Sequence, residues 1–144
     1  MLEEDAKKAA ILQSLELYAE EVGDPAYTIY QRFFSKYPEA RELFGNDEGD
    51  YIKLRMMERV FSMIMELADG SLDINHSAYW ITDHLAWGVG KAMVIDMFNI
   101  IFETIRDGLG KQWETEMEVA WCELMDEMTR VFGEQVAIYS NTDN

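Results

Sequence analysis

Cysteine, proline, histidine and positive charge are all scarce in this 144-residue chain, and each scarcity excludes something. The single cysteine, Cys122, forms no internal disulfide and rules out a multi-thiolate metal site; such usage is expected of a reduced, cytoplasmic protein. Twelve basic residues stand against 28 acidic ones, for a formal net charge of −16. A surface of that sign repels phosphate backbones and anionic membranes within a Debye length of about 8–10 Å, so no nucleic-acid partner is expected. Long apolar runs are missing too. The most apolar stretch, 93–102, is cut by Asp96 and preceded by Lys91, and the start, Met1-Leu2-Glu3-Glu4-Asp5, is acidic where a secretory signal is basic. The expectation is a chain with no membrane span and no signal. Gly88-Val89-Gly90 lacks the third glycine of a dinucleotide fingerprint and follows a helical pattern where that fingerprint needs a strand.

What remains is an ordinary globular composition, 49% apolar and 28% charged, at a length that suits one domain over 1–144, with 1–3 and 139–144 expected to fray. Apolar residues recur at steps of three and four, never two, which is an all-α pattern. Ile11, Leu15, Tyr18 and Val22 form one stripe, which runs out at Gly23. Asp24-Pro25 is a capping carboxylate followed by a residue preset for a first helical turn, ahead of Tyr30, Phe33 and Phe34. Pro38 pushes Tyr37 out of the α region, so the second helix stops near 36–37 and a short third one covers 38–44. The polar loop 45–50 ends in Asp50, placed to cap a longer helix bearing Ile52, Met56, Val60, Met63 and Leu67. A short helix is expected over 75–86, and two long ones over 91–107 and 113–132, with Val94, Phe98, Ile101 and Ile105 inward on the first and Met117, Trp121, Leu124, Met128 and Val131 on the second.

Most candidate chemistry fails on residue type or spacing. A di-iron carboxylate bundle needs two Glu-x-x-His pairs, and the near match is Asp73-Ile74-Asn75-His76. Cys122, between Trp121 and Glu123 in a long helix, has no base in a nucleophile context and reads as a packing residue. His76 reads as a surface residue. His84, near the end of a short amphipathic segment, is by periodicity either a core histidine or a ligand.

Three stretches in order decide between those readings: Ile29-Tyr30-Gln31-Arg32-Phe33-Phe34-Ser35-Lys36-Tyr37-Pro38-Glu39-Ala40-Arg41-Glu42-Leu43-Phe44; His84-Leu85-Ala86-Trp87-Gly88-Val89; and Leu109-Gly110 followed by Ala120-Trp121. Together they resemble the globins, in particular the bacterial single-domain kind. The resemblance implies a globin fold of about seven to eight helices around a haem pocket. It makes His84 the proximal ligand of the iron of haem b, Phe44 the aromatic wedged against the porphyrin, Tyr30 the distal tyrosine and Pro38 the helix-turning proline. A neutral imidazole suits haem iron, and a phenol donor suits the partly negative O2 it binds. Ile52 falls where the family carries a distal Gln or His, with Met56 the next inward residue, and Val89, Val94 and Phe98 join the pocket. Val94 replaces a tyrosine and Val136 a glutamate found in flavohaemoglobin-like members, which disfavours peroxidase-like chemistry. Arg55, Lys53 and Lys91 are the cations available to the haem propionates. The implied activity is reversible binding of a diatomic gas, O2, NO or CO. The alternatives are NO dioxygenation with a separate reductase, or a non-haem sensor or interaction module whose pocket is filled by some of the ten methionines and four tryptophans. An exposed helix face leaves a homodimer open.

Overall fold

The computed structural model describes residues 3–72, 84 and 89–142, with backbone alone at Lys91 and 134–142. Its elements are α1 (Glu4–Glu21), α2 (Ala26–Lys36), a 3-10 segment (Pro38–Phe44), a 3-10 turn (Glu48–Asp50), α3 (Tyr51–Ala68), α4 (Lys91–Leu109), a second 3-10 turn (Gly110–Gln112) and α5 (Thr115–Thr142). The described residues contain no strand, in keeping with the three-and-four spacing. The helix expected over 75–86 lies outside the described residues except at His84.

Local chemistry sets most boundaries. α1 ends where the N–H groups of Val22 and Gly23 both donate to the Tyr18 carbonyl, at 2.8 and 3.0 Å. Asp24 Oδ1 accepts from Ala26 N at 2.9 Å, so the expected cap of α2 is made. Pro38 halts α2 at Lys36, but the following segment is 3-10 where the spacing suggested α. Gly45, at φ 58° and ψ −140°, takes a turn open to glycine alone. α4 runs one residue beyond Gly108, which serves contact and not termination: a Cβ at 108 would strike the Tyr18 ring. α5 continues well past the expected 132, to Thr142.

The core forms where α1 packs on α4 and α5, α2 on α4, and α3 on α1. Ile11, Met63, Ile64, Phe98, Ile101, Ile105, Met117, Trp121, Leu124 and Phe132 are among its buried side chains. Three expectations about faces are corrected. On α1 the buried row is Ile11, Ser14 and Tyr18, while Val22 is exposed. The cause is Trp121, whose indole N–H donates to Ser14 Oγ at 2.9 Å, with Ser14 donating in turn to the Ile11 carbonyl at 2.6 Å. On α5 Phe132, not Val131, is fully inward. Cys122, read as a packing residue, is exposed. Asp96, which interrupts the apolar run of α4, takes a hydrogen bond from the Tyr37 hydroxyl and pairs with Lys36 at 3.0 Å, tying the end of α2 to α4. Among the described residues no helix is long and apolar enough to cross a membrane.

Ser14→Ala leaves the fully buried Trp121 indole N–H without its acceptor, which costs about 1–3 kcal/mol. Urea unfolding of this variant should show the midpoint falling with an unchanged m-value.

Candidate functional site

A cleft of about 520 Å³ opens beside the first turns of α3. α3 contributes Ile52, Arg55, Met56 and Arg59, one helical face read at steps of three, one and three. The 3-10 segment brings Leu43 and Phe44, α2 brings Phe33, and Met93 comes from α4. His84 and Val89 complete the wall, joined by the Val89 N–H donating to the His84 carbonyl at 2.9 Å. His84 is buried, with 9% of its surface exposed. Tyr51 lies at the mouth, 66% exposed, with the Arg55 guanidinium 6.0 Å from its ring centroid.

Phe44 is braced from behind by two aromatic rings: Tyr30 meets it edge-on at 5.6 Å and Phe34 does so at 5.7 Å. Tyr30 and Phe34 are themselves stacked at 5.6 Å. Such pairs add to area burial and fix ring orientation. The Tyr30 hydroxyl donates to the Lys53 carbonyl at 2.7 Å, and burial, then the nearby Asp47 carboxylate, push its ionisation well above the ordinary phenol range.

Lys53 is the hub of this corner. Asp47 accepts from Ile52 N through Oδ1 at 2.7 Å and from Lys53 N through Oδ2 at 3.0 Å. The Lys53 ammonium returns to Asp47 Oδ2 at 3.0 Å and reaches Asp50 Oδ1 at 3.1 Å. The cap of α3 is therefore Asp47, not Asp50 as the spacing suggested. Asp50 sits in the left-handed region at φ 60°, following Gly49 at φ 69°, and its side chain makes no cap bond. Burial raises the Asp47 carboxyl, but the two backbone N–H groups and the Lys53 ammonium outweigh it and hold the group below the usual carboxylate range. Lys53 is lowered by burial, and Asp47 and Asp50 more than reverse this.

Of the residues the resemblance assigned to the site, the cleft brings together Phe44, Ile52, Arg55, Met56, His84 and Val89. Tyr30, Val94 and Phe98 are buried outside its lining, Phe98 stacked on Phe132 at 5.6 Å. Lys53 is committed to its two aspartates, and the side chains of Lys91 and Val136 lie outside the described residues. Sequence reasoning missed Phe33, Leu43, Arg59 and Met93, and reached Tyr51 only as a neighbouring alternative to Ile52. Arg59 was within reach, being one turn on from Arg55.

Among the described residues no group of three or more His, Cys, Asp or Glu side chains could hold a metal ion. The chemistry of an apolar cleft with one imidazole in its wall fits a metal whose other ligands come from a macrocycle, and the cleft volume lies within the roughly 300–1,000 Å³ of cofactor sites. An all-α bundle with a histidine-bearing apolar cleft is thus the class that fold and site define. A family model described as Globin matches residues 27–132. The chain belongs to the globin family, a family of haem proteins, and the match spans every residue lining the cleft. Among curated proteins none matches.

The cap carries a pH signature. A carboxyl lowered by folding stabilises above its unfolded value of about 3.9, and that stabilisation is lost as pH falls through the folded value below it. Asp47→Asn should lower the thermal midpoint at pH 7 and flatten its decline below about pH 4, as read from melts across pH.

Proposed function

We propose that this globin holds haem b in the cleft beside α3, with His84 as its iron ligand, and that its activity is reversible binding of a diatomic gas. The observation that carries the reading is the meeting of a buried imidazole with Phe44, Ile52, Met56 and Val89 in the lining of one cleft of a globin-family chain. Bound haem supplies an iron with an open position for O2, NO or CO.

The chain's own residues do the rest. His84 would offer its imidazole, a ligand type haem iron takes readily. Phe44, backed by Tyr30 and Phe34, gives a flat ring a firm surface to lie on. Ile52 stands where the resemblance expects a distal polar group, with Met56 the next inward residue, and neither side chain can donate a hydrogen bond to a bound gas. The resemblance implied a Tyr30 hydroxyl over the iron. Its bond to the Lys53 carbonyl gives it another task, holding Phe44 and the first turn of α3 in register.

Haem retention tests the ligand. His84→Ala should lose the haem during purification or on transfer to a scavenger protein and lack a CO-shifted Soret band, whereas His76→Ala should retain both. Unchanged retention and spectrum in His84→Ala would overturn the assignment.

Tyr30→Phe separates bracing from gas contact. The release rate of O2 should change less than about threefold, while unfolding free energy drops by about 0.5–1.5 kcal/mol for the lost hydrogen bond. A tenfold faster release, equivalent to about 1.4 kcal/mol, would instead put the hydroxyl on the gas.

A further inference from the structure

A second hollow, of about 420 Å³, runs along α2 and shares none of its described lining residues with the cleft. Its floor follows from the sequence of that helix: Tyr27, Tyr30, Gln31 and Phe34 fall at steps of three, one and three, which puts them on one face over about 10 Å of helix. The rings are held in place. Tyr30 and Phe34 are stacked at 5.6 Å, and Gln31 Nε2 donates to the Tyr27 hydroxyl at 3.0 Å. Tyr27 is nevertheless 73% exposed, a large aromatic surface left in water beside the hollow.

The charged groups of the lining differ in what already holds them. Lys53 and Asp50 neutralise each other at 3.1 Å, and Lys53 is held again by Asp47. Asp24 accepts from Ala26 N where α2 begins. At the other end Arg41, brought in by the 3-10 segment, lies with its guanidinium 5.1 Å from the Phe34 ring centroid. Attraction to a ring uses none of the five N–H donors. Among the described residues no carboxylate takes them either, in a chain with 28 acidic residues to 12 basic ones.

We propose that this hollow binds a small aromatic monocarboxylate, its ring on the surface of Tyr27, Tyr30 and Phe34 and its carboxylate on the Arg41 guanidinium. A guanidinium meets a carboxylate with two parallel N–H bonds, so the arginine fixes the direction of the acid as well as its charge. Asp24 stands at the far end of the floor, about a Debye length away, and its repulsion of that carboxylate is screened. An aromatic cation fits less well, because Asp50 is already met by Lys53 and Asp24 by the start of α2.

The test titrates the full chain with 3-phenylpropionate, its neutral amide and phenethylamine, read by isothermal calorimetry and ligand-observed NMR. Wild type should bind the acid at least about fivefold more tightly than the amide, and more tightly than the amine. R41Q should lose that preference while binding the amide within about twofold of wild type, which also reports an intact hollow. Tyr27→Ser should weaken acid and amide alike, by about threefold or more, with an unchanged thermal midpoint. R55Q, altered at the mouth of the cleft instead, should bind as wild type does. Equal binding of acid and amide by wild type, a preference that survives in R41Q or vanishes in R55Q, binding unmoved by Tyr27→Ser, tighter binding of the amine, or no saturable binding would each overturn the proposal. The probes carry no iron and the variants leave His84 in place, so the result is independent of the haem reading.

Discussion

The corner at Asp47 governs the candidate site. The first amide N–H groups of any helix lack partners within it, and at α3 two of them are met by one carboxylate set four residues before the helix begins. Because Asp47 lies in the loop after Phe44, the same bonds that start the helix also fix how far Phe44 stands from Ile52 and Met56. Lys53 extends the hold in two directions: its ammonium clasps Asp47 and Asp50 and lies 5.7 Å from the Phe44 ring centroid, and its carbonyl takes the Tyr30 hydroxyl. Three elements that are separate in sequence, α2, the 3-10 segment and α3, are thereby locked at one point beside the cleft.

That lock explains how α3 divides its apolar residues. Met57, Val60, Met63, Ile64 and Leu67 are buried in the core, whereas Ile52 is 48% exposed and Met56 is half-buried on the cleft. A helix tilted by a missing cap could bury both sets against the core and close the cleft. Held at its N-terminus, it presents Ile52 and Met56 to a cleft whose other described lining includes Phe33, Phe44, Val89 and Met93, apolar surface that is costly in water unless a ligand covers it.

The helices were legible because burial writes itself as spacing: Ile11 and Tyr18, Val60 and Met63, Phe98 and Ile101, Trp121 and Leu124 were placed inward by their intervals and are inward. Where polar partnership and not hydrophobicity decides, spacing was silent. Ser14 is buried for the sake of an indole 107 positions away, and Gly108 belongs inside a helix for the sake of the Tyr18 ring. The cap moved from Asp50 to Asp47 because Gly49 and Asp50 both adopt left-handed backbone, a loop geometry that composition does not encode. Within the site, residue types named His84, Phe44 and Val89 through the family pattern, and α-helical period extends Ile52 to Met56. The direction of the Tyr30 hydroxyl was not legible, since a phenol serves as well for a backbone carbonyl as for a ligand. Arg59 was passed over because a charged residue on a helix usually faces solvent.

The residues lining the cleft differ in stiffness, and the difference has a physical source. Phe44 backs onto Tyr30 and Phe34, with the Arg41 guanidinium 5.1 Å from the Phe34 ring centroid, so four side chains limit one another's rotation. The lining also includes Met56 and Met93, unbranched and with three rotatable bonds each, which reshape around whatever lies against them. A rigid planar ligand needs one surface that sets its position and another that gives, because two rigid walls would demand a match in spacing that a helix shift of a fraction of an ångström would spoil. Phe44 is also tied to the Asp47 corner, through the Tyr30 hydroxyl on the Lys53 carbonyl. Position is therefore set by the braced aromatic residue, and tolerance is left to the methionines.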